Sequence, residues 1–202
     1  SAARELLLVE ANHRVKNHLT GIAGALALQA RACRDEAVRA PLQQAQSRIQ
    51  AVALIHRRLQ HGQTHQRLEL SPCVTDIARE AVAALGVEDH IAVSISCPKG
   101  LTLPTDRAVP VLLMTTELIT NCLKHAYPDR TKGSVHVTFG ATQRHLLVQV
   151  DDDGRGLPLD YEVRARGIGM TIVKGLIAQL SGELQIDRQT KGAHFRVRLP
   201  KL

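Results

Sequence analysis

Between Leu42 and Leu59 the apolar positions advance by alternating steps of three and four, through Leu42, Ala45, Ile49, Val52, His56 and Leu59. Such a stripe is the narrow seam of a coiled coil or helical bundle, not the broad face a helix lays on a globular core. Helical patterning runs from Arg4 to about His61, and Pro41 is its one proline. Charge density rises at Arg34 and Pro41 interrupts the pattern, which predicts a hairpin turn across residues 34–41. Two helices cannot enclose a core by themselves. The pattern therefore predicts a homodimer, in which a second copy completes a four-helix bundle through residues 4–61.

The texture changes after the polar, unpatterned stretch Gly62–Arg67. These features divide the chain into a helical hairpin over 1–62, a linker over 63–67 and a second domain over 68–202. In the second domain helix and strand patterns alternate. Ser71-Pro72 reads as the start of a helix reaching Leu85, with Ser71 as N-cap. Ile91–Ser96 and Leu146–Val150 read as strands, and Asp106–Ala126 and Met170–Leu180 as helices. Val135-Val137-Phe139 and Phe195-Val197-Leu199 alternate with polar residues, as half-buried strands do. The order implies an α/β sandwich, with helices on one face of a largely antiparallel sheet. With 2% aromatics and no Trp, its core must be built from Leu, Val, Ile and Ala.

Several function classes are disfavoured at once. A net charge of +7 permits a polyanionic partner, but the aromatics that stack on single-stranded nucleic acid are almost missing and no Cys/His finger spacing occurs. A nucleotide or an acidic protein surface suits the charge as well. Leu19–Ala30, the longest uncharged stretch of the first half, is too short for a bilayer, so no membrane contact is expected within this chain. No signal-peptide pattern opens it. Cys33, Cys73, Cys97 and Cys122 lack metal-type spacing and read as reduced thiols of a cytoplasmic protein.

Four short segments carry chemistry. At about 100° per residue, Val15, Leu19, Ile22 and Leu26 share one side of the first helix, whereas His13, Lys16, Asn17, Thr20 and Gly24 share the other. His13 thus stands on a polar face, where either a solvated histidine or a reactive one belongs. On the helix from Asp106, Val109, Leu112, Thr116, Ile119 and Leu123 form one face and Glu117, Asn121, Lys124 and His125 another. An Asn carbonyl beside a carboxylate suits Mg²⁺, and Lys124 suits phosphate, although an ordinary polar face has the same composition. Asp151-Asp152-Asp153-Gly154-Arg155-Gly156 follows a strand directly, so a strand-end carboxylate could accept from an exocyclic amine while glycines turn the chain tightly. Gly167-Ile168-Gly169 opens a helix, where free N–H groups favour phosphate or simply mark a loop junction.

In this order the pieces resemble the nucleotide site of the Bergerat-type ATPases, among them histidine kinases, type II topoisomerases and mismatch-repair ATPases. With His13-Arg14-Val15-Lys16-Asn17 ahead of them, nearly the whole chain resembles a two-component sensor histidine kinase of the His-Arg-x-x-Asn phospho-acceptor class. The resemblance implies an α+β fold: a hairpin forming a dimeric four-helix bundle, then an α/β sandwich ATP-binding domain of Bergerat type. It also implies ATP and Mg²⁺ as cofactors, with His13 as phospho-acceptor, Asn121 on Mg²⁺ and Asp152 reading the adenine amino group in place of its neighbour Asp153. Gly154, Gly156, Gly167 and Gly169 would shape the lid over the phosphates, and His125 would flank the adenine. The phosphoryl group would pass to an aspartate of a response-regulator receiver domain, with Asn17 orienting water for the reverse, phosphatase reaction. Arg14 stands where many such kinases carry an acid, so Glu10, one turn earlier, becomes the candidate partner of the second ring nitrogen, and Glu117 could assist from the ATP side. Gly192-Ala193 replaces a usual Gly-Thr, and the stretch between Gly156 and Gly167 is short for a lid. A related class marked by Trp-x-Glu is disfavoured because the chain has no Trp. The alternatives are a non-catalytic histidine phosphotransfer protein with a degenerate ATPase-like domain, or an anti-sigma-type serine kinase or other Bergerat ATPase. The first should have lost Asn121 and the Asp-x-Gly-x-Gly residues, and the second has no need of the His13 helix.

Overall fold

A computed structural model describes residues 2–61, 67–128, 132–157, 168–187 and 191–200, without the side chains of 2–13, 16 and 59–61. The chain divides into two compact units, Ser1–His65 and Gln66–Leu202. The first holds helices α1 (Ala2–Ala32) and α2 (Glu36–His61), packed together as a hairpin. The turn lies earlier than the sequence predicts. Asp35 caps α2 by accepting from the Ala37 N–H at 2.9 Å, and its carbonyl takes the Arg39 N–H at 2.9 Å. Pro41 therefore falls inside α2 and does not end a turn.

The apolar arc of α1 is shared unevenly. Ala23 and Ala30 are buried and Leu19 and Leu26 half-buried, while Val15 and Ile22 are exposed. On α2 the buried residues are Ala51, Leu54 and Ile55. The stripe Leu42, Ala45, Ile49, Val52 and His56 is only half-buried, and the Leu59 side chain lies outside the described residues. A single hairpin thus leaves part of its apolar surface uncovered.

The second unit is an α/β sandwich. Its five-stranded sheet has the order β2 (Ile91–Ser96), β4 (Gly133–Ala141), β5 (His145–Asp152), β7 (His194–Pro200), β6 (Glu183–Asp187). All neighbours are antiparallel except β2 and β4, which are parallel and so need the long crossover through β3 (Thr102–Pro104) and helix α4 (Thr105–His125). Strand alternation supplies one wall of the core: Val135, Val137 and Phe139; Leu146, Val148 and Val150; Phe195, Val197 and Leu199. Helices α3 (Leu70–Leu85), α4 and α5 (Ile168–Gln179) supply the other wall, with Leu112, Met114, Leu118, Ile119, Val74 and Val173 fully buried or nearly so. The buried hydroxyls of Thr115 and Thr116 donate to the Val111 and Leu112 carbonyls at 2.8 Å, so neither is left unsatisfied in the core.

Helix α3 begins one residue before the expected cap. Glu69 is its N-cap, in extended conformation and without a side-chain cap bond. The Glu69 carboxylate is engaged elsewhere: it accepts from the Gly100 N–H at 3.1 Å, tying the helix start to the turn before β3. Pro72 then sits within the first turn, where a missing N–H costs nothing. β1 (Arg67–Glu69) pairs with β3 as a small separate sheet, three residues being too few for a sequence signal. None of the described helices is long and apolar enough to cross a membrane.

Candidate nucleotide site

Period-two alternation decides which of the three consecutive aspartates faces the helix layer. Asp152 shares parity with Leu146, Val148 and Val150, so it points with them into the core, only 3% exposed. Its Oδ1 accepts the Gly154 N–H at 3.0 Å and the Ala193 N–H at 3.2 Å. The Cys122 thiol of α4 lies against the same carboxylate, and burial first, then the Asp152 charge, push that thiol well above the usual range. Asp151 and Asp153 face other partners. Asp151 Oδ1 lies 2.8 Å from His194 Nδ1. Asp153 accepts from the Ser134 N–H at 2.8 Å, the Ser134 hydroxyl at 2.9 Å and the Tyr127 hydroxyl at 2.8 Å. The Ser134 N–H bond does most to hold the Asp153 carboxyl below its usual range. Asp153 fastens the start of β4, which leaves Asp152 as the carboxylate turned toward α4.

The turn after β5 is docked on the end of α4. The Arg155 N–H donates to the Ala126 carbonyl at 2.9 Å, and a Cβ on Gly154 would lie 2.6 Å from the Ala126 Cβ. Gly156 has φ +77°, which favours glycine. Across the turn, Gly192 has φ +90° and rests directly on the Asp152 carbonyl, so any Cβ there would overlap backbone. A Gly192→Ala variant should therefore lose about 2 kcal/mol or more of stability, combining strain with overlap. A melting curve should show its transition several degrees lower; an unshifted curve would contradict this geometry.

The polar face expected on α4 is present but is not a solvated one. Glu117 is buried, Asn121 and Lys124 are half-buried, and His125 is exposed at the helix end. The cause is α5. A Cβ on Gly169 would meet Glu117 Oε2 at 3.0 Å and Asn121 Oδ1 at 3.6 Å, so the first turn of α5 lies directly on this pair. Glycine at 169 is what lets α5 approach so closely. Partial desolvation, with the Lys124 and Arg155 charges, lowers the His125 pKa and favours its neutral ring. Gly167 and the segment between residues 158 and 167 lie outside the described residues. So do the side chains of Glu10 and His13; Asn17, one turn on along α1, is exposed.

Asn121, Glu117, Asp152, Gly154, Gly156 and Gly169 thus come together from α4, the β5 end and the α5 start. A family model described as "Histidine kinase" matches residues 10–85, and one described as "Histidine kinase-, DNA gyrase B-, and HSP90-like ATPase" matches residues 106–202. The sensor histidine kinase PdtaS of Mycolicibacterium smegmatis is 31% identical over 202 residues, 98% of this chain. The chain belongs to the histidine kinase family.

This histidine kinase chain spans 40% of the length of PdtaS. Blue-light-activated histidine kinase 2 of Erythrobacter litoralis is 28% identical, over 96% of this chain and 56% of that protein. Among solved structures, the histidine kinase domain of the E. litoralis blue-light-activated kinase EL346 superposes with a TM-score of 0.72 at 28% identity, covering 96% of this chain and 90% of that one. Acinetobacter baumannii AdeS, at 16% identity and a TM-score of 0.54, shares the fold.

The donor set suits a hard cation. Glu117 and Asn121 offer oxygen donors on one helix turn beneath Gly169, and among the described residues no cluster of three or more His, Cys, Asp and Glu could hold a metal ion by itself. Mg²⁺ commonly takes one or two protein oxygens and completes its shell with phosphate and water, so these two donors are compatible with it. Sequence reasoning misses Tyr127 and Ser134, takes Cys122 only as a reduced thiol, and takes Ala193 only as the replacement of a usual Thr. They act on the site through its carboxylates and turns, and no side-chain pattern in the sequence marks those contacts.

Proposed function

We propose that this chain is a kinase core that phosphorylates itself on His13 from Mg-ATP and passes the phosphoryl group to an aspartate of a response-regulator receiver domain. The observation that carries this reading is the buried Asp152 carboxylate at the end of β5, next to α4 and its Asn121 and Glu117. An adenine amino group donating to Asp152 and phosphates lying toward Asn121, Lys124 and the first turn of α5 would use the polar groups these elements present. Mg²⁺ held by Asn121 would supply neutralisation of the triphosphate.

An imidazole nitrogen of His13 then attacks the γ-phosphorus in line; a P–N bond forms as the P–O bond to ADP breaks. A neutral imidazole is nucleophilic near pH 7 without strong tuning. Glu10, one turn before His13, accepts the N–H of the other ring nitrogen and stabilises the developing charge, with Glu117 the alternative from the ATP side. Lys124 meets phosphate charge, His125 flanks the adenine, and Gly154, Gly156, Gly167 and Gly169 shape the lid. Asn17 orients water for the phosphatase reaction. Residues 1–62 serve as the dimerisation and phosphotransfer hairpin, 63–67 as linker and 68–202 as the ATP-binding domain. The exposed Val15 and Ile22 and the half-buried stripe from Leu42 to His56 support a homodimer, since a second hairpin would cover them. Four free cysteines suit the reducing cytoplasm.

The test is incubation with γ-labelled ATP and Mg²⁺. A phosphoramidate is stable to base and labile to acid, so the label should survive alkali, vanish in acid, and appear more slowly in Glu10→Gln. Acid-stable label would assign the chain to serine or threonine chemistry, and nucleotide bound without any label would favour a phosphotransfer protein.

A further inference from the structure

On the face of β5 opposite Asp152, Asp151 pairs with His194 at the start of β7. The His194 Nδ1 lies 2.8 Å from Asp151 Oδ1, and its Nε2 lies 3.0 Å from the Lys191 carbonyl oxygen. A carboxylate and a carbonyl only accept, so both bonds exist together only when the imidazole carries two protons. Between these two anchor points run Gly192 and Ala193. Ala193 returns two bonds to the nucleotide site: its N–H donates to Asp152 Oδ1 at 3.2 Å, and its carbonyl accepts the Asp152 N–H at 3.0 Å.

We propose that His194 is a positioning residue for the nucleotide site: doubly protonated, it grips Asp151 and the Lys191 carbonyl, holding the Gly192–Ala193 turn against Asp152, and nucleotide affinity falls when it loses a proton. The proposal rests on the reading of Asp152 as the adenine-binding carboxylate. Deprotonation forfeits one of the two grips. The turn is then anchored at one end only, and the Ala193 N–H that fixes the Asp152 carboxylate is free to drift.

The groups around His194 favour its charge. Asp151 faces it from β5 and Asp187 from β6; Lys191 precedes it, Arg196 follows two residues along β7, and His136 of β4 lies beyond Asp151. Burial opposes the charge, but the Asp151 bond, the Lys191 carbonyl and the charges of Asp151 and Asp187 outweigh it and raise the His194 pKa. A raised folded-state pKa means that the clamp is complete at low pH and is lost as pH rises through that value.

The experiment is calorimetric titration of the full chain with Mg-ADP from about pH 7 to about pH 9, a range above the ordinary histidine value. In the unaltered protein affinity should fall roughly three- to tenfold, the scale of one ordinary hydrogen bond. His194→Gln should bind at the weak level throughout, and Asp151→Asn should reproduce that flat profile from the other partner. A flat profile in the unaltered protein overturns the proposal, as does an unchanged slope in both variants. Absence of Mg-ADP binding at every pH would instead defeat the reading of Asp152. The Ala193 amide resonance of nucleotide-free protein separates these cases: it should move with the His194 titration, and its indifference would overturn the coupling.

Discussion

Replacing Asp152 with asparagine should remove most nucleotide affinity while leaving the fold in place. The carboxylate is buried, and its Oδ1 already holds the Gly154 and Ala193 N–H groups. An asparagine can keep those two bonds through its carbonyl oxygen. It then turns an NH₂ toward the adenine amino group, so two donors meet where a donor and an anion met before. A buried, charge-assisted bond is exchanged for an unsatisfied pair, at a cost of about 2–3 kcal/mol. Mg-ATP affinity should fall at least about thirtyfold in calorimetry, and the melting transition should move far less. The neighbouring Asp153→Asn should do the reverse, loosening the Ser134 and Tyr127 fastening with little direct effect on nucleotide. If the two variants exchange roles, the assignment within the Asp151–Asp153 triplet is wrong.

That assignment shows how much of the site the sequence held. The parity of Leu146, Val148, Val150 and Asp152 was present in the residues, and strand geometry converts it directly into a burial prediction. The alternating strands over Val135–Phe139 and Phe195–Leu199 and the long α4 were legible for the same reason: periodic apolar patterns record one buried face. β6 alternates too, through Leu184 and Ile186, but half-burial at a sheet edge gives only a weak contrast. What could not be read is what depends on distant partners. Glu117 looks solvent-facing from its own helix, yet it is buried with Gly169 of α5 packed close against it. Pro41 draws the expected turn too far along the chain, whereas α2 starts at the Asp35 cap, because an N-cap aspartate is a start signal and a proline in an early turn is not a stop. Ala193 supplies a main-chain N–H, which no side-chain motif records.

Loss of the His13 imidazole carries the largest effect of all. In the proposed reaction that ring is the nucleophile, so His13→Ala leaves no atom for the γ-phosphoryl group to join. The proposed nucleotide contacts come from Asp152, Asn121, Lys124 and the first turn of α5, and His13 is not one of them, so nucleotide affinity should remain unchanged. This division is unlike that of Asp152→Asn, where binding is lost first and chemistry only as a consequence. It also separates a phospho-acceptor from a histidine that merely stabilises α1, because a structural loss would lower the melting transition along with the label.

The central claim is that the His13 helix and the site around Asp152 and Asn121 work as one phosphorylation device. The direct measurement is paired: Mg-ATP affinity and base-stable labelling from γ-labelled ATP, in the unaltered chain and in His13→Ala. The account predicts equal affinity in both, with labelling present in the first and reduced at least a thousandfold, to background, in the second. Label of the same intensity on the His13→Ala chain would contradict it outright.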